Sequence, residues 1–289
     1  MAVGTNIWTY FEGKWHQGDI PVMKAADHGT WLGTLVFDGA RAFEGLMPDL
    51  DLHLARVNHS AVVMGLQPTM TVAEMVAITH EGMRLLGKDR PVYIRPMYWS
   101  TGGGQGVIGP NPETTVFCLC LEELALASPT ASQSVTTTQF TRPTLASALV
   151  NAKAGCLYPN NARMLREAHA KGFNNVLVLD PLGNVAETAT ANVFMVKDKV
   201  VKTPIPNGTF LNGITRQRMI RLLREDGFTV EECTLSHDDF RKADEVFMSG
   251  NISKVTPVNR FDNVEYGPGK VAPRARAIYW DWAARGQRL

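Results

Sequence analysis

The chain has 289 residues, with 29 lysines and arginines against 28 aspartates and glutamates, a net charge of +1 at pH 7. That balance argues against a general nucleic-acid binder and a highly charged disordered chain, and 45% hydrophobic residues allow a sizeable core in about two domains. No window approaches the ~18 consecutive apolar residues of a transmembrane helix, and Met1–Tyr10 shows no cationic segment followed by an apolar run, so a cytoplasmic protein with no membrane partner is expected.

In chain order, Ile7–Phe11, the turn Glu12–Gly13–Lys14 and Trp15 read as a hairpin, and Leu32–Phe37 as a strand. A helix is expected over Leu52–Gly65, with Asp51 as N-cap and Leu54, Val57, Ala61 and Met64 on one face. Thr71 and Glu74 have capping-box spacing, Met75, Ile78, Gly82 and Leu85 continue as a helical stripe, and Gly87 stands where the helix should stop. Val92–Trp99 and Thr114–Leu121 read as strands. The small, polar stretch Glu122–Ser134 then suggests a break, giving domains at 1–124 and 135–289 joined by a linker at 125–134. Beyond it come a strand at Val135–Phe140, a helix at Asn161–Lys171 stopped by Gly172, and strands at Val176–Leu179 and Val193–Val196. A helix at Thr215–Asp226 stopped by Gly227, a strand at Glu245–Met248 and a helix at Ala275–Ala284 complete the chain. The irregular interleaving, with short turns such as Asp180–Gly183, points to an α/β fold of the α+β kind rather than a doubly wound sheet.

Lys153 is the most informative residue. It is the only charged residue between Arg142 and Arg163, among Asn151, Ala152, Ala154 and Gly155. A lysine in small apolar company can present a free amine that forms a Schiff base with a carbonyl. Glu187 is the only charge between Asp180 and Lys197. Alone it is either a glutamate on the wet face of a strand or a carboxylate that keeps a heterocyclic nitrogen protonated. Gly208–Thr215 has Walker A glycine spacing, but Ile214 replaces the required lysine. What survives is a glycine turn into a helix capped by Thr215, either an ordinary helix start or a phosphate site. Gly104–Gly109 matches G-x-G-x-x-G, yet Pro110 and Pro112 forbid the helix that motif must open, so a loop is expected. Tyr93 and Arg95 share one face of a strand and could hold a carboxylate, or Arg95 is a surface group on an edge strand that Pro96 makes plausible. Cys118 and Cys120 read as reduced core thiols, and no histidine or cysteine spacing suggests a metal.

Taken together, these segments resemble the fold-type IV, class IV aminotransferases that use pyridoxal 5'-phosphate (PLP), in that family's order along nearly the whole chain. The carriers are Tyr10–Lys14, Gly33–Arg41, His53–Arg56, Ala152–Gly155 with Tyr158, Glu187 with Asn192–Phe194, Gly213–Arg216, and Asp244–Gly250 with Thr256–Val258. The resemblance implies two α/β domains with the cofactor in the interdomain cleft, and a homodimer. It implies that Lys153 forms the Schiff base and moves the proton, that Glu187 faces the pyridine nitrogen, and that Tyr158 bonds the phenolic oxygen. Arg56, Gly213, Ile214, Thr215 and Asn251 would hold the phosphate. Within the family, Tyr93–Pro96 looks most like branched-chain aminotransferases, where Tyr93, Arg95 and the backbone near Asn251 and Ile252 would face the substrate carboxylate. Leu32 stands where a pocket tyrosine is common, and Asn251 where threonine is usual. A 2-keto acid would be the acceptor in a ping-pong cycle. D-amino-acid or (R)-amine transamination, or aminodeoxychorismate lysis, are the alternatives the same fold implies.

Overall fold

The computed structural model describes residues 4–286. Its contacts divide the chain into two units. One holds the residues up to Leu126, Asn151–Cys156 and Ala283 onward; the other holds Ala127–Val150 and Leu157–Trp282. The lysine segment thus packs with the first unit although it follows the linker in sequence.

The first unit begins with the hairpin β1 (Ile7–Phe11) and β2 (Lys14–Gln17). Its turn residues Glu12 and Gly13 have φ of 50° and 81°, the primed-turn geometry that matches strand twist. A single helical turn α1 (His28–Trp31) follows, then β3 (Leu35–Phe37) and β4 (Ala40–Ala42). The strand expected from Leu32 begins only at Leu35, because Gly33 turns the chain at φ 71°. Helices α2 (Leu50–Val63) and α3 (Val72–Leu86) precede the long strands β5 (Val92–Ser100) and β6 (Thr115–Glu123). Asp51 is not the cap of α2. Asp49 takes that position in a left-handed conformation without a side-chain bond, and Asp51 lies in the first turn. At α3 both halves of the Thr71–Glu74 capping box form, and Gly87 is the C-cap.

The sheet order is β2-β1-β6-β5-β3, with β4 also on β5. Strand β5 is therefore internal, not an edge. Pro96 fits there because its outer side faces the break between β3 and β4, where only its carbonyl is used, by the Asp38 N–H at 3.0 Å.

The second unit has β7 (Gln133–Thr141), α4 (Tyr158–Ala170), β8 (Asn175–Leu179), β9 (Val185–Thr188), β10 (Asn192–Lys197) and β11 (Val200–Pro204). Next come α5 (Ile214–Glu225), β12 (Val230–Cys233), α6 (His237–Arg241), β13 (Glu245–Gly250), β14 (Lys254–Phe261), β15 (Val264–Glu265) and α7 (Val271–Ala284). The strands form a mixed sheet in the order β12-β11-β10-β13-β14-β7-β8-β9, with β15 on β14. Phe194 and Phe247 stack at 4.9 Å between neighbouring strands, and Met219, Leu223, Ala275 and Tyr279 cover them from α5 and α7. Met164 and Ala168 of α4 close over Val176 and Val178. Helix α4 starts three residues before the expected Asn161, since Pro159 suits a first helical turn. Among the described residues no helix is long and apolar enough to cross a membrane, and no cluster of metal-binding side chains occurs.

Gly82 shows how tightly α3 sits on its sheet. A Cβ there would lie 2.2 Å from the Trp15 ring and 2.6 Å from Leu121. Gly82→Ala is therefore expected to destabilise the protein by about 1–3 kcal/mol through overpacking, seen as a lower Tm. An equal or higher Tm, as alanine's helix propensity alone would give, would show that the indole yields.

Candidate active site

In the first unit a fully buried carboxylate organises the neighbourhood of Lys153. Asp38 lies between β3 and β4 and accepts Arg56 Nε at 2.6 Å and Nη2 at 2.8 Å. His53 Nδ1 is 2.7 Å from the same carboxylate, which also accepts the Gly39 N–H at 2.7 Å. Burial pushes the Asp38 pKa up, but Arg56 and His53 outweigh it and hold the carboxyl well below the usual range. The plane of Arg56 is thereby fixed.

Ser60 lies one turn beyond Arg56 on α2, so the two share a face. The Ser60 hydroxyl accepts the Lys153 N–H at 3.0 Å, and the Lys153 carbonyl accepts the Phe37 N–H at 3.1 Å. Ala154 bridges Val36 in antiparallel fashion, and Ala152 and Ala154 are buried. Lys153 is thus fastened by its backbone, with Nζ 4.8 Å from the Phe37 ring centre. The small residues that singled it out are the ones that let this strip lie flat against β3.

Tyr93 is buried opposite Arg41 in the β4–β5 register. Arg41 is wholly buried; its Nη2 donates to the Leu124 carbonyl, while Nε and Nη1 have no partner. Burial draws its pKa down to about 10. Arg95 donates to Glu122 at 3.2 Å and leans over the Tyr93 ring. Leu32 is half-buried at the end of α1.

In the second unit Glu187 is buried on β9. Its Oε1 is 3.2 Å from Arg142 Nε, and its Oε2 accepts the Asn192 amide at 3.3 Å. Arg142 also donates to the Thr209 carbonyl and to Asn161 on α4, the latter at 2.9 Å. Tyr158, exposed at the start of α4, is one turn before Asn161 and on its face. Asn192 further donates to the Leu211 carbonyl at 3.1 Å and accepts the Gly213 N–H at 3.2 Å. It therefore joins Glu187 to the start of α5. Gly213 is the N-cap there, not Thr215, and no side chain caps the helix. A Cβ at Gly213 would lie 2.3 Å from Asn192 Oδ1, so only glycine fits. At the end of β13, Ser249 is paired with Asn192, and its buried hydroxyl has no partner; nor has Asn251 Nδ2. Ile252 is exposed.

An uncapped helix start with no acidic residue in its first turn, and two buried donors without partners, suit a phosphate. A carboxylate held among donors suits a protonated ring nitrogen. The residues present fit a phosphorylated pyridine aldehyde. Sequence reasoning did not find Arg142 or Asn161, whose types carry no motif, and it named Asn192 only as part of the segment that carries the resemblance; the fold brings all three to Glu187.

Comparison with known proteins agrees with this chemistry. Residues 35–261 match the family model described as amino-transferase class IV. The branched-chain-amino-acid aminotransferase of Pseudomonas aeruginosa is 30% identical over 282 residues, covering 92% of this chain and 91% of that protein. That of Escherichia coli K12 is 29% identical over 282 residues, covering 94% and 90%. Among solved structures, an aminotransferase from Brucella abortus bound to PLP superposes with a TM-score of 0.95 at 56% identity, covering 96% of this chain and 99% of that one. The Escherichia coli branched-chain enzyme superposes with a TM-score of 0.88 at 27% identity, covering 96% and 94%.

The Asp38 cluster yields a test of its own. A carboxylate with a depressed folded pKa contributes its stability above the unfolded value near ~3.9 and loses it as pH falls. Wild type should exceed Asp38→Asn by about 3–5 kcal/mol in denaturant melts near neutral pH. The gap should narrow once pH drops below about 4; a gap independent of pH would remove the ionic account.

Proposed function

The chain belongs to the class IV aminotransferases, and from that premise we propose that it is a PLP-dependent transaminase exchanging the amino group between a branched-chain amino acid and a 2-keto acid. The observation that carries this reading is Lys153, the one charge in its segment, fastened by backbone bonds to Ser60 and Phe37. The names of the curated relatives favour the branched-chain substrate over the D-amino-acid, (R)-amine and lyase alternatives.

PLP supplies a carbonyl for an amine and a ring that accepts electrons from the substrate carbon. The chain's residues do the rest. Lys153 would hold the cofactor through its amine and, once free, would move the proton at the substrate α-carbon. Glu187 would pair with the ring nitrogen, with Arg142 as its counter-charge. The Tyr158 hydroxyl would donate to the phenolic oxygen. Arg56, the N–H groups of Gly213, Ile214 and Thr215, and the Asn251 amide would hold the phosphate. Tyr93, Arg95 and the backbone of Asn251 and Ile252 receive the substrate carboxylate, with Leu32 at its side chain. The proposal includes a cytoplasmic homodimer; the free Cys118, Cys120, Cys156 and Cys233 accord with a reducing compartment.

The test is the absorption spectrum of purified protein with PLP, before and after L-leucine, L-glutamate, D-alanine or an (R)-arylethylamine. A near-visible band bleached fastest by L-leucine supports the reading, and no band in the wild type overturns it. Lys153→Ala should lower turnover by at least about 100-fold with the fold intact. Glu187→Gln should slow single turnovers by roughly 10–100-fold, the value of a bond to a charged group; an unchanged rate would contradict its role.

A further inference from the structure

Lys254 of the second unit is a long cationic side chain that the proposed function leaves unused although it is almost wholly buried, 1% exposed. It opens β14 in a left-handed backbone conformation, φ 61°, which a lysine adopts at a cost. The turn between β13 and β14 pairs it with Gly250, and its Nζ donates to Asn251 Oδ1 at 2.7 Å. On its other side Nζ lies 5.4 Å from the centre of the Tyr279 ring. A buried ammonium in a strained position needs a reason.

The amide it touches supplies one. An asparagine side chain has an acceptor end and a donor end, and a phosphate tolerates only the donor. Lysine has three donors and no acceptor, so it can bind only Oδ1. The contact therefore fixes which way the amide points. The other end, Asn251 Nδ2, is buried and has no partner, and so is the Ser249 hydroxyl two residues earlier. The adjacent Gly250 lies against Ala191, beside Asn192, whose Oδ1 holds the Gly213 N–H at the uncapped start of α5.

Resting on the PLP reading, we propose that Lys254 is a positioning residue for the cofactor phosphate: it pins the acceptor end of the Asn251 amide so that Nδ2 faces the phosphate. Lys254 itself does not touch the phosphate. Its positive charge adds to the field of the α5 start.

Pyridoxal, which lacks the phosphate, separates this role from a structural one. Full-length apo-protein is titrated with PLP and with pyridoxal by fluorescence. In Lys254→Met, PLP affinity should fall about 10–100-fold while pyridoxal affinity stays within about twofold. Adding Asn251→Ala to that variant should cost nothing more. Equal loss for both ligands, no loss, or additive losses overturn the inference. Should Lys254→Met fail to fold, Asn251→Asp decides. It keeps an oxygen for Lys254 and puts an acceptor where the donor stood. It must then weaken PLP more than Asn251→Ala does and spare pyridoxal; wild-type PLP affinity overturns the inference. A wild type that binds neither ligand overturns the PLP reading and this inference with it. A Lys254→Met protein that retains the wild-type preference for PLP overturns the inference alone.

Discussion

A carboxylate taken out of water must be met by counter-charge and donors, or the chain will not keep it inside. Glu187 is such a group, and most of the second unit's site exists to satisfy it. Arg142 follows the last residue of β7, Asn192 begins β10, and Asn161 belongs to α4. These elements are far apart in sequence, yet all close on one side chain. A carboxylate has about four lone-pair sites, and Arg142 and Asn192 take two. Because Asn192 also carries Gly213, the same bonds that hold the carboxylate set the start of α5.

The first unit handles charge in two ways. Asp38 is enclosed on both oxygens by Arg56, with His53 and the Gly39 amide completing it, and it has no freedom left. Lys153 is held through its peptide groups instead, to Ser60 and Phe37. Bonds to the peptide groups fix the Cα and leave the side-chain torsions to be set separately. That division suits the chemistry assigned to it, since the group that forms and breaks a bond must move and the groups that position it must not.

The sequence made those features legible that are written in local chemistry. The capping box at Thr71, the stops at Gly87 and Gly172 and the isolation of Lys153 and Glu187 all depend on neighbours in the chain. What was misread depends on partners far away. Asp51 looked like a cap because aspartate usually is one, but the chain enters α2 through a left-handed Asp49. Thr215 looked like a cap for the same reason. A glycine held by Asn192 has that place, and its need for glycine comes from a side chain 21 residues earlier. Pro96 suggested an edge because its missing donor must face something that does not need it. A gap between two short strands meets that requirement as well as solvent does.

The same contrast explains why an asparagine at the end of β13 makes a different demand from a hydroxyl residue. A hydroxyl rotates its hydrogen toward whichever acceptor is present and needs no instruction. An amide presents fixed ends, and one of its two orientations sets an oxygen against any anion it meets. A neighbour that can only donate removes that orientation. Burying the neighbour prevents water from competing for the contact, and a low local dielectric strengthens it. The strained backbone and the buried ammonium of Lys254 are thus parts of one arrangement. The turn must place a donor within reach of Oδ1, and the strain is the geometric consequence of placing it there.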